Sequence, residues 1–175
     1  MRLKVTRLLL PSAAVLMLAA CAPTPTQVKR KGPPPPTHAQ MMAAIRHAGK
    51  TDHSAVQVRP VRDPAAQAYL DQAHAANDAG KYQQAADALD HALKITPKAP
   101  DLLQDRAELA LELGNYARAE SLAQQSYALG PKLGPLCARN WQTILEMRKL
   151  AGDTAGMAKA SKHVGQCRKK GVVRM

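Results

Sequence analysis

Beyond residue 63 the apolar positions recur every three or four residues, and the runs they form are broken at regular places. Ala85, Ala86, Leu89, Ala92 and Leu93 share one face of a 3.6-residue period, which predicts a helix over Tyr82–Ile95. Asp63-Pro64 starts a helix before it, since Asp caps free N–H groups and Pro suits the first helical position. Gly80 ends that helix by supplying a turn that a Cβ resists. Leu102–Leu113 and Tyr116–Leu129 repeat the pair, with Pro97 and Pro100 at the join. A third pair has a changed pattern. Gly134-Pro135 opens it, and Cys137–Ala151 carries Cys137, Trp141, Ile144 and Leu145. Gly152-Asp153 turns the chain into a last helix, Ala155–Cys167. The pattern predicts an all-α domain over residues 63–167.

The pairs are also related in sequence. Gly80-Lys81-Tyr82-Gln83-Gln84-Ala85 matches Gly114-Asn115-Tyr116-Ala117-Arg118-Ala119 at an offset of 34, and Pro97 matches Pro131 at the same offset. This Gly-x-Tyr-x-x-Ala…Pro period resembles the tetratricopeptide repeat. In the third pair the turn comes four residues late and Thr154 replaces the tyrosine, as in a degenerate capping repeat. The resemblance implies helical hairpins in a short right-handed solenoid. Ala73, Ala85, Ala107 and Ala119 would let helices approach closely, and Tyr82 and Tyr116 would fill the hairpin ends. The first helix of each pair would line a concave face. That places Gln67, Leu70, His74, Asn77 and Asp78 there from the first pair, and Asp101, Gln104, Glu108, Leu111 and Glu112 from the second. The expected groove is acidic with two exposed leucines, Leu70 and Leu111. Such a groove suits a basic, partly apolar protein segment, with Leu70, His74, Asn77, Gln104, Glu108, Leu111 and Glu112 as contact residues. Trp141 is expected in the core.

The first 62 residues follow another logic. Arg2, Lys4 and Arg7 precede a mostly apolar run from Leu8 to Ala20, too short to span a bilayer comfortably. This reads as a signal peptide over residues 1–20. Leu18-Ala19-Ala20-Cys21 resembles a bacterial lipobox, which implies lipid attachment at Cys21 and near-permanent membrane anchoring. Ala22, rather than Asp, then favours the outer membrane by resemblance to enteric lipoproteins. Residues 21–62 are rich in Pro, Lys, Gln and His and read as a disordered linker, with polyproline II over Pro33–Pro36. Met41, Met42 and Ile45 sit there at roughly helical spacing. A short docking helix is one reading of them, but the composition favours a transient turn within the tether.

Charge sharpens this division. The formal net charge is +12. Residues 22–62 carry seven Lys/Arg against Asp52 alone, whereas residues 63–167 carry eleven basic and twelve acidic groups. Residues 168–175 form a basic flexible tail. Export and the lack of Phe argue against nucleic acid as a partner, despite the high pI. Cys137 and Cys167 open and close the third pair, so in an antiparallel hairpin they are neighbours. In an oxidising compartment they are expected to form a disulfide rather than stay as buried thiols.

No catalytic motif occurs. A phosphate loop, HExxH and GxSxG are all missing, and the histidines are scattered. The stripe Asp101, Asp105, Glu108, Glu112 reads as a solvated face or peptide groove, not a metal site. No enzyme activity, cofactor, metal or small-molecule substrate is expected. Anchor, Pro-rich segment, two good repeats and a modified third pair with "CARNWQTI" together resemble the tetratricopeptide-type outer-membrane lipoprotein activators of class A penicillin-binding proteins. The resemblance implies a periplasmic domain that docks on a peptidoglycan synthase. An assembly adaptor of the pilotin kind is the alternative.

Overall fold

The structure, a computed structural model, describes residues 34–50 and 61–168. The leader, Cys21, most of the Pro-rich linker and nearly all of the basic tail lie outside the described residues. Those described form seven helices and no strand: α1 (His38–Lys50), α2 (Pro64–Asp78), α3 (Tyr82–Ile95), α4 (Pro100–Glu112), α5 (Tyr116–Leu129), α6 (Pro135–Ala151) and α7 (Thr154–Gln166). None is long and apolar enough to cross a membrane.

The local signals act as expected. The Asp63 carboxylate accepts from the N–H groups of Ala65 (2.8 Å) and Ala66 (3.3 Å) ahead of α2. At the other end Gly80 adopts φ 71°, the left-handed region where a Cβ is strained. Its N–H donates to the Asn77 carbonyl at 2.9 Å, and Lys81 N–H donates to Ala76 at 2.8 Å. These two bonds satisfy carbonyls that the helix end leaves free. Gly114 repeats the arrangement one period later, with φ 74°. Three hairpins result, α2/α3, α4/α5 and α6/α7, joined by α3 on α4 and α5 on α6. Ala73, Ala85, Ala107 and Ala119 are buried in the cores between them.

Tyr116 departs from expectation. It stays 39% exposed rather than filling its hairpin end, and its Oη meets His38 Nε2 at 2.8 Å. Its homologue Tyr82 is half-buried against the first core.

The larger correction concerns α1, which lies inside the segment read as disordered tether. Met41, Met42, Ile45 and Ala48 are all buried. The first three share one core with Leu103, Ala107, Ala110 and Leu111 of α4 and Ile144 and Met147 of α6. The compact unit therefore begins at Pro34, not at residue 63. A lone 13-residue helix is marginal in water, so composition alone gives no reason for it to fold. The missing reason is tertiary: its apolar stripe finds the facing sides of α4 and α6. At Gly49 an added Cβ would stand 2.9 Å from Cγ of Arg139, so glycine permits the close approach of α1 to α6.

α4 is the central element. It touches α3, α5, α6 and α1, and nine of its residues are buried, Gln104, Arg106 and Glu108 among them. At the far end Cys137 and Cys167 form the expected disulfide, with Cα atoms 5.6 Å apart. Nearby, Gly134 N–H donates to the Cys167 carbonyl at 2.9 Å, a second tie between the two ends of the last hairpin.

Two outcomes follow. Ile45→Ala should lower the urea midpoint of the whole unit, at a cost of about 2–5 kcal/mol for a fully buried side chain. A tether residue would give no change. Replacing both Cys137 and Cys167 with Ser should cost about 3–4 kcal/mol by the loop-entropy relation for a sequence separation of 30. Denaturant titration of the oxidised parent against the double variant measures it.

Candidate functional site

The first helices of the three pairs, α2, α4 and α6, bring the residues of the expected groove together, but not as an open acidic surface. Asp105 and Glu108 project from α4 toward Arg139 of α6. Arg139 Nη2 donates to Asp105 Oδ1 at 2.7 Å and to Glu108 Oε1 at 2.6 Å, and its Nε reaches the same Glu108 oxygen at 2.8 Å. Gln104 Nε2 donates to Glu108 Oε1 at 3.0 Å and to Thr143 Oγ1 at 2.8 Å. Thr143 Oγ1 in turn donates to the Arg139 carbonyl at 3.0 Å. Gln104 thus donates once along α4 and once across to α6, while its buried Oε1 has no partner. His74 of α2 approaches from the other side, with Nε2 3.7 Å from Asp105 Oδ2, an ion-pair separation beyond hydrogen-bond range.

The electrostatics follow from this geometry. Burial by itself would push the Asp105 carboxyl up, but the neighbouring His74 and Arg139 outweigh it and hold the group below its ordinary value. The Asp105 carboxylate raises the His74 pKa against the opposing effect of partial burial, with Asp71 and Asp78 adding to the rise. Arg139 is held charged by Glu108 and Asp105 despite burial. Two carboxylates against one guanidinium leave one negative charge over, and His74 offsets it when it binds a proton.

A cleft of about 310 Å³ remains beside this cluster, bounded by Met42 and Arg46 of α1, His74 and Asn77 of α2, Asp105 and Arg139. His74 is exposed, and Asn77 and Glu112 are half-buried. Leu70 and Leu111 are not exposed leucines of a groove. Leu70 packs in the core between α2, α3 and α4, and Leu111 is fully enclosed in the core that includes α1. Gln104 and Glu108 are buried as well. The physical reason is the same for Leu111, Gln104 and Glu108: α4 is covered by neighbours on the face that two isolated repeats would leave open. Arg139, Thr143 and Arg46 were missed. Arg139 had one available signal, a cation in the third pair able to face the acidic stripe of α4.

A second network lies between the repeats. Arg106 donates to Asp90 through Nε at 2.8 Å and Nη2 at 3.2 Å, and Arg118 reaches the same carboxylate at 3.3 Å. It ties α3, α4 and α5 together. Trp141 is half-buried rather than fully in the core. It stacks on His163 at 4.0 Å and meets Tyr127 edge-on at 5.0 Å. Among the described residues, no group of His, Cys, Asp and Glu side chains is arranged to hold a metal ion.

Comparison with known proteins agrees with this architecture. The family described as Tetratricopeptide repeat matches residues 76–132. The solved globular C-terminal domain of P. aeruginosa LpoP is 30% identical, with a TM-score of 0.55, over 60% of this chain and 99% of that one. This chain belongs to the LpoP-like tetratricopeptide-repeat family. No curated protein matches it. The LpoP-like unit is a protein-interaction domain, and its concave cluster is built for holding helices and charges in place.

The Asp105–His74 pair gives a measurable consequence. His74 has its pKa raised above 6.5, so its contribution to stability is present below that value and is lost as pH rises through the folded-state pKa. Asp105 is depressed below 3.8, so its contribution is present above that value and is lost as pH falls through the lower folded-state pKa. Asp105→Asn should move the His74 titration down, read by NMR of the imidazole Cε1–H. An unchanged midpoint would show that Asp105 does not set it.

Proposed function

We propose that this protein is an outer-membrane-anchored periplasmic lipoprotein that docks on a class A penicillin-binding protein and activates its peptidoglycan synthesis. The observation that carries the reading is the similarity to the LpoP domain, joined to a sequence whose start resembles a lipobox at Cys21. The anchor would hold the protein at the inner leaflet of the outer membrane. The basic Pro-rich segment would lead away from it, and the helical unit would meet the synthase. Activation requires only that the domain bind the active state of that synthase more tightly than the inactive one.

The fold changes the expected reach. With α1 docked, the segment ahead of the compact unit runs from Cys21 to Pro33, and a chain of that length spans at most about 43–47 Å. A tether counted to residue 62 would have spanned about three times as much.

Two assays test the role. The mature chain should raise the glycosyltransferase rate of a purified class A penicillin-binding protein recovered by envelope crosslinking. Deleting residues 24–33 should leave that purified activity intact yet abolish activation in cells, where the reach is needed. If crosslinking yields no wall synthase and the rate does not change, the reading is wrong. An assembly adaptor working at the outer membrane would tolerate the deletion.

A further inference from the structure

The notable feature of this tetratricopeptide unit is that its concave face already holds a helix. We propose that this face is a binding site for a basic, methionine-bearing amphipathic helix, that α1 is its resident ligand in cis, and that a partner helix of the same chemistry binds by displacing it. The inference names a docking surface and does not depend on the partner being a peptidoglycan synthase.

The chemistry of the two sides matches. α1 presents Met41, Met42, Ile45 and Ala48 along one stripe, carries Arg46, His47 and Lys50, and has no acidic residue. This is the helix-in-groove pattern, with anchors spaced along one helical face. The surface beneath it offers Leu103, Ala107, Ala110, Ile144 and Met147 as an apolar floor. Beside that floor Asp105 and Glu108 of α4 line the cleft that Met42 and Arg46 of α1 border. Arg139 is the one guanidinium paired with both, and two carboxylates against one cation leave an acidic excess that suits a basic ligand. Methionine fits such a role because its flexible thioether adapts to irregular pockets.

The geometry leaves room for exchange. α1 packs chiefly on α6 and more lightly on α4, and a cleft lies between it and α2. The cleft there runs along the edge of α1, from Met42 and Arg46 to His74 and Asn77. An incoming helix can take hold at this edge before α1 leaves. A tethered ligand acts at an effective concentration on the order of millimolar, so α1 excludes weak competitors and yields only to a tight one.

The test uses the full mature chain and a fluorescent synthetic peptide of residues 36–50, read by anisotropy. Ile45→Asp in the chain should unseat α1 and let the peptide bind at least about tenfold more tightly than it binds the parent chain. A peptide carrying the same Ile45→Asp change should bind neither. Equal binding to parent and variant overturns the proposal, as does no binding to a variant that keeps its helical circular dichroism. Hydrogen exchange on the unaltered chain gives an answer if the variant does not fold. Amides of α1 should exchange at least about tenfold faster than those of α4 and α6. Exchange of α1 as slow as α4 would make it a fixed part of the core and overturn the proposal.

Discussion

Two carboxylates on a surrounded helix demand a cation. Asp105 and Glu108 project from α4, which packs against α3, α5, α6 and α1. Charges taken out of water are costly unless paired with good geometry. Arg139 meets both with three hydrogen bonds, and Gln104 and Thr143 satisfy further lone pairs across the same interface. This cluster gives the third hairpin a specific angle on the second, which apolar contacts alone specify less sharply. The degenerate repeat thus keeps its place although it has lost the tyrosine of the first two.

Once α6 stands against α4, their facing sides form an apolar trough with an acidic margin. α1 fills the trough. Three hairpins are about the smallest stack of this kind that stands alone, and terminal repeats need covering. Here the cover is a helix from the segment before the repeats, laid on the concave side. The same hairpin is also closed by the Cys137–Cys167 bridge, against which Ala48 of α1 packs. A short solenoid with little apolar area thus has its last hairpin held twice, by burial under α1 and by a covalent restraint.

The arrangement also shifts where the interaction surface lies. An open concave face was the natural expectation for tetratricopeptide hairpins, but of the side chains assigned to it only some meet at one cleft, and Leu70 and Leu111 lie in separate cores. His74, Asn77 and Asp105 border one cleft, with Glu108 at its wall. Yet half of that face is interior. Free contact there is limited to the α2 side, to the exposed side of α1 and to the rim near Glu112. The Asp90–Arg106–Arg118 network on α3, α4 and α5 is by comparison a structural brace between repeats.

Much of the fold was legible in the residues. The caps at Asp63 and Asp153, the turns at Gly80 and Gly114, and the helix-starting Pro64 and Pro100 act through a few neighbouring backbone groups, so local sequence determined where the helices of the repeats begin and end. The repeat register placed Ala73, Ala85, Ala107 and Ala119 in contact, and the antiparallel hairpin brought Cys137 to Cys167. What lay beyond the sequence were the contacts made by parts far apart in the chain. Met41, Met42 and Ile45 sit in a stretch whose composition favours disorder, and Leu111, Gln104 and Glu108 sit on a stripe that looks solvated in isolation. Burial depends on what covers a surface, and no residue carries that information about itself. Only the tertiary structure decided that α1 folds and that the acidic stripe turns inward, because α6 supplies what each lacks: an apolar side for α1 and Arg139 for the carboxylates.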